Sequence, residues 1–162
     1  MSLQPDFELQ AAHQYFSTYC FNQVWELLEK EERSSEENEE ILRLSLASHW
    51  HWTQRNDYTP VNASVALWQI SRVHAVLGRA EEARRWAEQC LAVSRNNQLA
   101  PFYRAYAYEA RARAELAAGN QDLAGSLLQE ARTLAEQVDD PEEKQWLIQD
   151  LRDLQILSNN SS

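Results

Sequence analysis

Two pairs of side chains four residues apart carry most of the chemistry legible in this chain: Trp68 with Arg72, and Glu109 with Arg113. On a helix that spacing puts each pair on one face. Neither pair shares the face that Ile70, Val73 and Leu77 would bury. An Arg fork matches a carboxylate or a phosphate with two parallel hydrogen bonds, and it stacks on aromatic rings. The run Ser48-His49-Trp50-His51-Trp52, followed by Arg55, is the densest local chemistry. On a helix His49 and His51 point about 200° apart, whereas metal ligation wants a spacing of three or four. No metal site is therefore expected there. His49 with Trp52, or His51 with Arg55, would act together instead, and an Arg beside a His favours the neutral imidazole, a hydrogen-bond partner or base. No Gly-rich phosphate loop, nucleophile elbow or Cys–His spacing is present, so no catalytic residue is assigned. A plainer alternative stays open at each point: Glu109 neutralises Arg113, the Trp side chains fill the core, and the histidines sit in helix interfaces. His13 is expected at the surface and His74 in packing.

The elements that must position these residues are helices. Apolar residues recur at three and four rather than two, and no strand is predicted. Thr59-Pro60 and Asp140-Pro141 read as an N-cap followed by a first helical residue. Asp140 with Glu143, and Ser34 with Glu37, have capping-box spacing. Gly78 and Gly119 stand where a helix wants a left-handed residue after its end. This punctuation predicts eight helices, at about 6–18, 21–32, 35–56, 60–77, 80–95, 99–118, 121–138 and 141–157. A single domain over 1–157 and a disordered polar tail at 158–162 are expected. Gly78 and Gly119 are 41 residues apart, and at that offset Arg72 falls on Arg113, Ala83 on Ala124, Cys90 on Ala131 and Val93 on Leu134. Small residues thus recur where two helices must approach closely. Units of helix, Gly turn and helix bury a shared core only when stacked.

On these residues the chain resembles the tetratricopeptide repeat (TPR) family. In the unit at 61–97, Leu67, Ile70, Ser71 and His74 match the family's aromatic, leucine, small and tyrosine positions. Gly78 matches the turn, and Ala83, Ala87 and Cys90 match the second helix. In the unit at 102–138, Tyr108, Ala112, Gly119, Ala124, Leu128 and Ala131 fill the corresponding places. A degenerate unit is expected at 5–32, where Ala12, Tyr15, Val24 and Leu28 match. The chain departs from the family in its long period, against about 34 residues. It also lacks the proline that closes each repeat, carries Arg111 in place of a leucine, and leaves the helix at 35–56 without a paired partner. The resemblance implies an all-α fold, a short right-handed stack of antiparallel hairpins, an α-solenoid. It also implies that the first helix of each hairpin lines a concave groove. Val65, Trp68, Arg72 and Ala75 would line it in one unit, and Tyr106, Glu109, Arg113 and Leu116 in the next. The helix at 35–56 would add His51, Trp52 and Arg55.

Composition limits what such a groove can hold. The chain has 162 residues and a net charge of −10, which disfavours non-specific binding to nucleic acid or anionic membranes. That charge is uneven. Residues 1–60 carry a net −7, residues 61–120 a net +3, and residues 121–162 a net −6. Eight Glu between Glu26 and Glu40 make an acidic surface, while every basic residue of the middle section is Arg. Six Trp argue against disorder, and no apolar run approaches the roughly 20 residues of a membrane span. No signal peptide is visible at the N-terminus. Cys20 and Cys90 read as free buried thiols in a reducing, cytoplasmic setting. The expected function is a non-enzymatic interaction module. Its groove, lined by His51, Trp52, Arg55, Trp68, Arg72, Tyr106, Glu109 and Arg113, would hold a peptide or partner helix bearing an anionic group, without cofactor. Two alternatives come from other classes: a sensor or helical enzyme with a His/Glu/Arg pocket for an anionic small molecule, and a structural homodimer.

Overall fold

The structure, a computed structural model, describes residues 6–160. It is all-α, with no strand among the described residues. Seven helices follow in order: α1 (Leu9–Leu28), α2 (Ser35–Thr53), α3 (Pro60–Val76), α4 (Ala80–Asn96), α5 (Pro101–Ala117), α6 (Gln121–Ala135) and α7 (Pro141–Asn160). Short connections make neighbours antiparallel. α1 packs on α2, α3 on α4 and α5 on α6 as hairpins, and α7 closes the stack against α5 and α6. Between hairpins, the backbones of α3 and α5, and of α5 and α7, come close. α3, α5 and α7 therefore form one layer, which α1 joins through side chains: Gln69 Nε2 of α3 donates to Phe21 O at 3.0 Å, and Trp25 meets Trp68.

The local chemistry explains the helix ends. Ser34 Oγ accepts from Glu37 N at 3.2 Å, while Glu37 Oε2 accepts from Ser34 N at 2.8 Å, a complete capping box. Thr59 and Asn62 form a second box in front of Pro60. Asp140 Oδ1 accepts from the backbone of Glu142 and Glu143, both at 2.9 Å. Gly78 (φ 72°) and Gly119 (φ 80°) take the left-handed conformation. Each lets the next amide reach back a full turn, Arg79 N to His74 O at 2.9 Å and Asn120 N to Glu115 O at 2.8 Å. The third such turn has no glycine. Gln98 adopts φ 50° at the end of α4, and Leu99 N bonds Ser94 O at 3.0 Å.

The N-terminal third differs from the sequence expectation. The helices predicted at 6–18 and 21–32 are one, α1, because no Gly or Pro interrupts Thr18-Tyr19-Cys20-Phe21, and Thr18 turns its hydroxyl back to Gln14 O at 3.4 Å instead of capping a new helix. Residues 5–32 are thus not a hairpin unit. α1 is the first helix of a hairpin whose second helix is α2, the helix left without a partner in the sequence reading. α2 also stops at Thr53, so Arg55 lies in the following turn. At the other end, Ser158 to Asn160, expected in a disordered tail, continue α7. Residues 161 and 162 lie outside the described residues.

Small residues seat the helices closely. Ala105, Ala107, Ala110, Ala112 and Ala114 of α5 are buried, as are Ala83, Ala87 and Cys90 of α4. Buried hydroxyls are satisfied across the interfaces, Ser71 Oγ on Ala83 O at 2.8 Å and Ser48 Oγ on Ser17 O at 2.7 Å. Both cysteines are free and buried.

Candidate binding groove

Glu109 is the polar centre of the odd-helix layer. It projects from α5, fully buried. Its Oε2 accepts Trp68 Nε1–H from α3 at 2.8 Å. Its Oε1 accepts Arg113 Nε and Nη2 at 2.9 and 2.6 Å, and Arg72 Nη1 lies 3.9 Å away. The repeat offset explains the meeting, since Glu109 stands one repeat after Trp68 and Arg113 one repeat after Arg72. Burial alone would raise the Glu109 pKa, but the Arg113 and Arg72 charges and the hydrogen bonds overcome it and hold the carboxyl below its ordinary range. Burial, then the neighbouring Arg113 charge, lowers the pKa of Arg72. Arg113 is doubly bonded to Glu109, whereas Arg72 meets that carboxylate through the long ion pair alone. Its guanidinium lies 5.4 Å from the Trp25 ring centre.

An aromatic row extends from this knot along the layer. Ring centres are 5.4 Å apart for Trp25 and Trp68, 5.2 Å for Trp68 and Tyr106, and 5.0 Å for Tyr106 and Phe102. Tyr106 OH donates to Asp150 Oδ2 of α7 at 2.6 Å. Burial, reinforced by Asp150, pushes the Tyr106 pKa up, so the hydroxyl stays a donor. The row walls a cavity of about 520 Å3. α1 contributes Phe21 and Trp25, and α3 contributes Ser64, Val65 and Trp68. α5 adds Phe102, Tyr103 and Tyr106, and Trp146 of α7 stands at the rim, half exposed.

Of the expected site residues, the structure brings together Trp68, Arg72, Tyr106, Glu109 and Arg113. It does not bring His51, Trp52 or Arg55 to them, and none of these three lines the cavity. The reason is topological: α2 is the second helix of its hairpin, outside the odd layer. Arg55 stacks over Trp52 with its Cζ 3.8 Å from the ring centre, bonds Asp57 through two nitrogens at 2.8 and 2.7 Å, and donates to Ser17 Oγ at 3.0 Å. His51 Nδ1 is 2.9 Å from His13 Nδ1. These contacts seat the end of α2 on α1. His13, expected at the surface, is buried. His49 does not act with Trp52; it lies edge-on to Trp86 of α4, ring centres 6.3 Å apart. Val65 lines the cavity as expected, but Ala75 and Leu116 line a separate recess beside Leu154 and Leu157.

Sequence reasoning missed Phe21, Trp25, Phe102, Tyr103 and Trp146. The first two are four residues apart, as are Phe102 and Tyr106, and this spacing was a usable sign of shared faces. It also missed a second buried carboxylate, Glu115. Arg84 Nε and Nη2 reach it at 2.8 and 3.0 Å, Asn120 Nδ2 at 2.6 Å, and Arg111 Nη1 pairs with it as well. This cluster ties α4 to α5 and to the turn before α6, and it gives Arg111 a partner.

Apart from Ser64 and the Tyr and Trp polar atoms, the cavity lining is apolar. Burial pushes the Cys90 thiol up to about 11, and its Sγ donates to Ser64 O at 3.2 Å. Among the described residues no three His, Cys, Asp or Glu side chains could together hold a metal ion. No described helix is long and apolar enough to cross a membrane. Comparison with protein-family models, with curated proteins and with solved structures finds no match.

Proposed function

We propose that this chain is a TPR-like, non-enzymatic interaction module that holds a peptide or partner helix in the groove of α1, α3, α5 and α7. An apolar anchor fills the aromatic cavity, and an anionic group of the ligand pairs with Arg72. The observation that carries the reading is the row Trp25–Trp68–Tyr106–Phe102 opening beside a guanidinium with spare donors. Arg113 is committed to Glu109, which narrows anion recognition from two Arg to one. Large rings in a pre-formed pocket supply anchor affinity, and a charged hydrogen bond at its edge supplies orientation.

The test is selection of binders from a displayed random-peptide library, followed by calorimetry on the wild type and two variants. Val65→Trp fills the cavity and abolishes binding. Arg72→Gln weakens acidic binders about tenfold, the worth of one charge-assisted hydrogen bond, and leaves neutral binders unchanged. A library that yields no binder sensitive to Val65→Trp overturns the proposal. The cavity volume also favours a second reading, an anionic small molecule with an aromatic body, since sites for such ligands span roughly 300–1,000 Å3. Native mass spectrometry of the purified chain separates the two. A retained small molecule, lost in Val65→Trp, selects the second.

A further inference from the structure

The outer face of the first hairpin is unlike the rest of the molecule. A quarter of the chain's residues are charged, yet Leu9 to Trp25 of α1 contain no Asp, Glu, Lys or Arg. Large apolar side chains are exposed along it. Tyr15 is 60% exposed and Trp50 of α2 is 55% exposed, and Leu9, Phe16, Tyr19 and Leu46 are each 40% or more exposed. Scattered apolar residues on a surface are ordinary, but contiguous ones mark contact surfaces. These are contiguous. Tyr19 stacks on Tyr15 at 5.5 Å and 12°, Tyr15 meets the edge of Phe16 at 5.1 Å, Phe16 meets His51 at 5.4 Å, and His51 meets Trp50 at 4.8 Å. Leu46 shares the Trp50 face at a spacing of four.

We propose that two copies of this chain associate through this uncharged aromatic face of α1, extended by Leu46 and Trp50 of α2. Charge argues for a second copy. Each chain carries −10, so two copies meet favourably only where neither presents acid, and α1 is such a place. A basic partner would be drawn instead to the eight Glu of residues 26–40. Area agrees. A fully buried aromatic side chain covers 150–250 Å2, so the four half-exposed aromatic side chains offer roughly 400 Å2 per copy, to which Leu9 and Leu46 add. The two copies then bury about 1,000 Å2, the size a specific interface needs to reach. The same patch on both copies makes a closed two-fold pair rather than a filament. Tyr19 and Trp25 are six residues apart, about 120° around α1, so the patch is centred on a different face of the helix from the aromatic groove.

The test is light scattering of the full chain after size exclusion, across protein concentration, on wild type, Tyr15→Arg/Tyr19→Arg and Tyr15→Gln. The wild type is expected at twice the chain's 18.8 kDa. The double variant is expected at the chain mass with unchanged helical circular dichroism. Tyr15→Gln keeps a good helix former on the exposed face, so it stays informative if the double variant does not fold, and it raises the dimer dissociation constant at least about tenfold. A wild type at the chain mass up to about millimolar protein overturns the proposal. So does a dimer that folded variants leave unchanged, because another surface then joins the copies. Open-ended growth with concentration also overturns it, since that marks a head-to-tail contact.

Discussion

Glu109 is the residue on which the groove depends. Three side chains from two helices, Trp68, Arg72 and Arg113, converge on one fully buried carboxylate, and each loses that partner if the carboxylate goes. Glu109→Ala is therefore expected to destabilise the chain by about 3–5 kcal/mol in urea unfolding, because uncompensated guanidinium charge stays buried. Replacing Glu109 and Arg113 together with Met should cost less than the single change, since the more buried of the two stranded charges is gone and only Arg72 is left without the carboxylate. A double variant worse than Glu109→Ala would refute the buried-charge account. The Glu109–Arg113 pair was legible from its spacing of four. The Trp68 bond to Glu109 was harder to see, because it joins equivalent positions of adjacent hairpins and needs their register. Gln98 shows the opposite situation. Its left-handed φ of 50° strains any side chain, so Gln98→Gly should stabilise the protein by about 0.5–1 kcal/mol. An unchanged urea midpoint would mean that the turn relaxes in solution.

At the scale of elements, the sequence carried the turns better than the pairing. Gly78, Gly119, Pro60 and Pro141 bound helices where expected, because φ preference and a missing N–H act locally. Which helix partners which is a long-range matter. Reading α1 as two helices shifted the parity of the first hairpin, and that shift alone placed His51, Trp52 and Arg55 in the groove. With α2 as a second helix, Arg55 belongs to the hairpin clamp on Ser17, Trp52 and Asp57. The clamp should be separable from the groove. Arg55→Ala is expected to speed amide exchange at the start of α1 and the end of α2 and to cost about 1 kcal/mol. Peptide affinity measured by calorimetry should stay within about twofold. A larger loss of binding would show that the first hairpin's far end contributes to the groove after all.

Over the whole molecule, charge is spent internally where it looks available. The +3 middle section suggests a field for anions, but Arg113 is held by Glu109, Arg84 and Arg111 by Glu115, and Arg79 reaches Glu39 at 3.1 Å. The packing between helices also disfavours charge on three histidines. Burial lowers the pKa of His49, His51 and His74, with His13 adding to the effect at His51 and the Glu82 charge partly opposing it at His74. The Nδ1 atoms of His49 and His74 are buried without a hydrogen-bond partner. For each, the unfolded chain binds its proton near pH 6.5 while the folded chain resists it until lower pH. The unfolded state therefore holds more protons through that interval, and stability rises with pH across it. Their contribution is complete above the unfolded value and declines as pH falls through 6.5 toward the folded values. Buried Glu109, with its lowered pKa, titrates below this window and does not mask it. Urea midpoints are expected to drop between about pH 7.5 and pH 5.5. His49→Leu with His74→Leu, which removes two unpartnered buried nitrogens, should flatten that slope whatever it does to stability at neutral pH. Equal midpoints at the two pH values in the wild type would mean that these imidazoles accept protons as readily folded as unfolded, and that water reaches them through the hairpin interfaces.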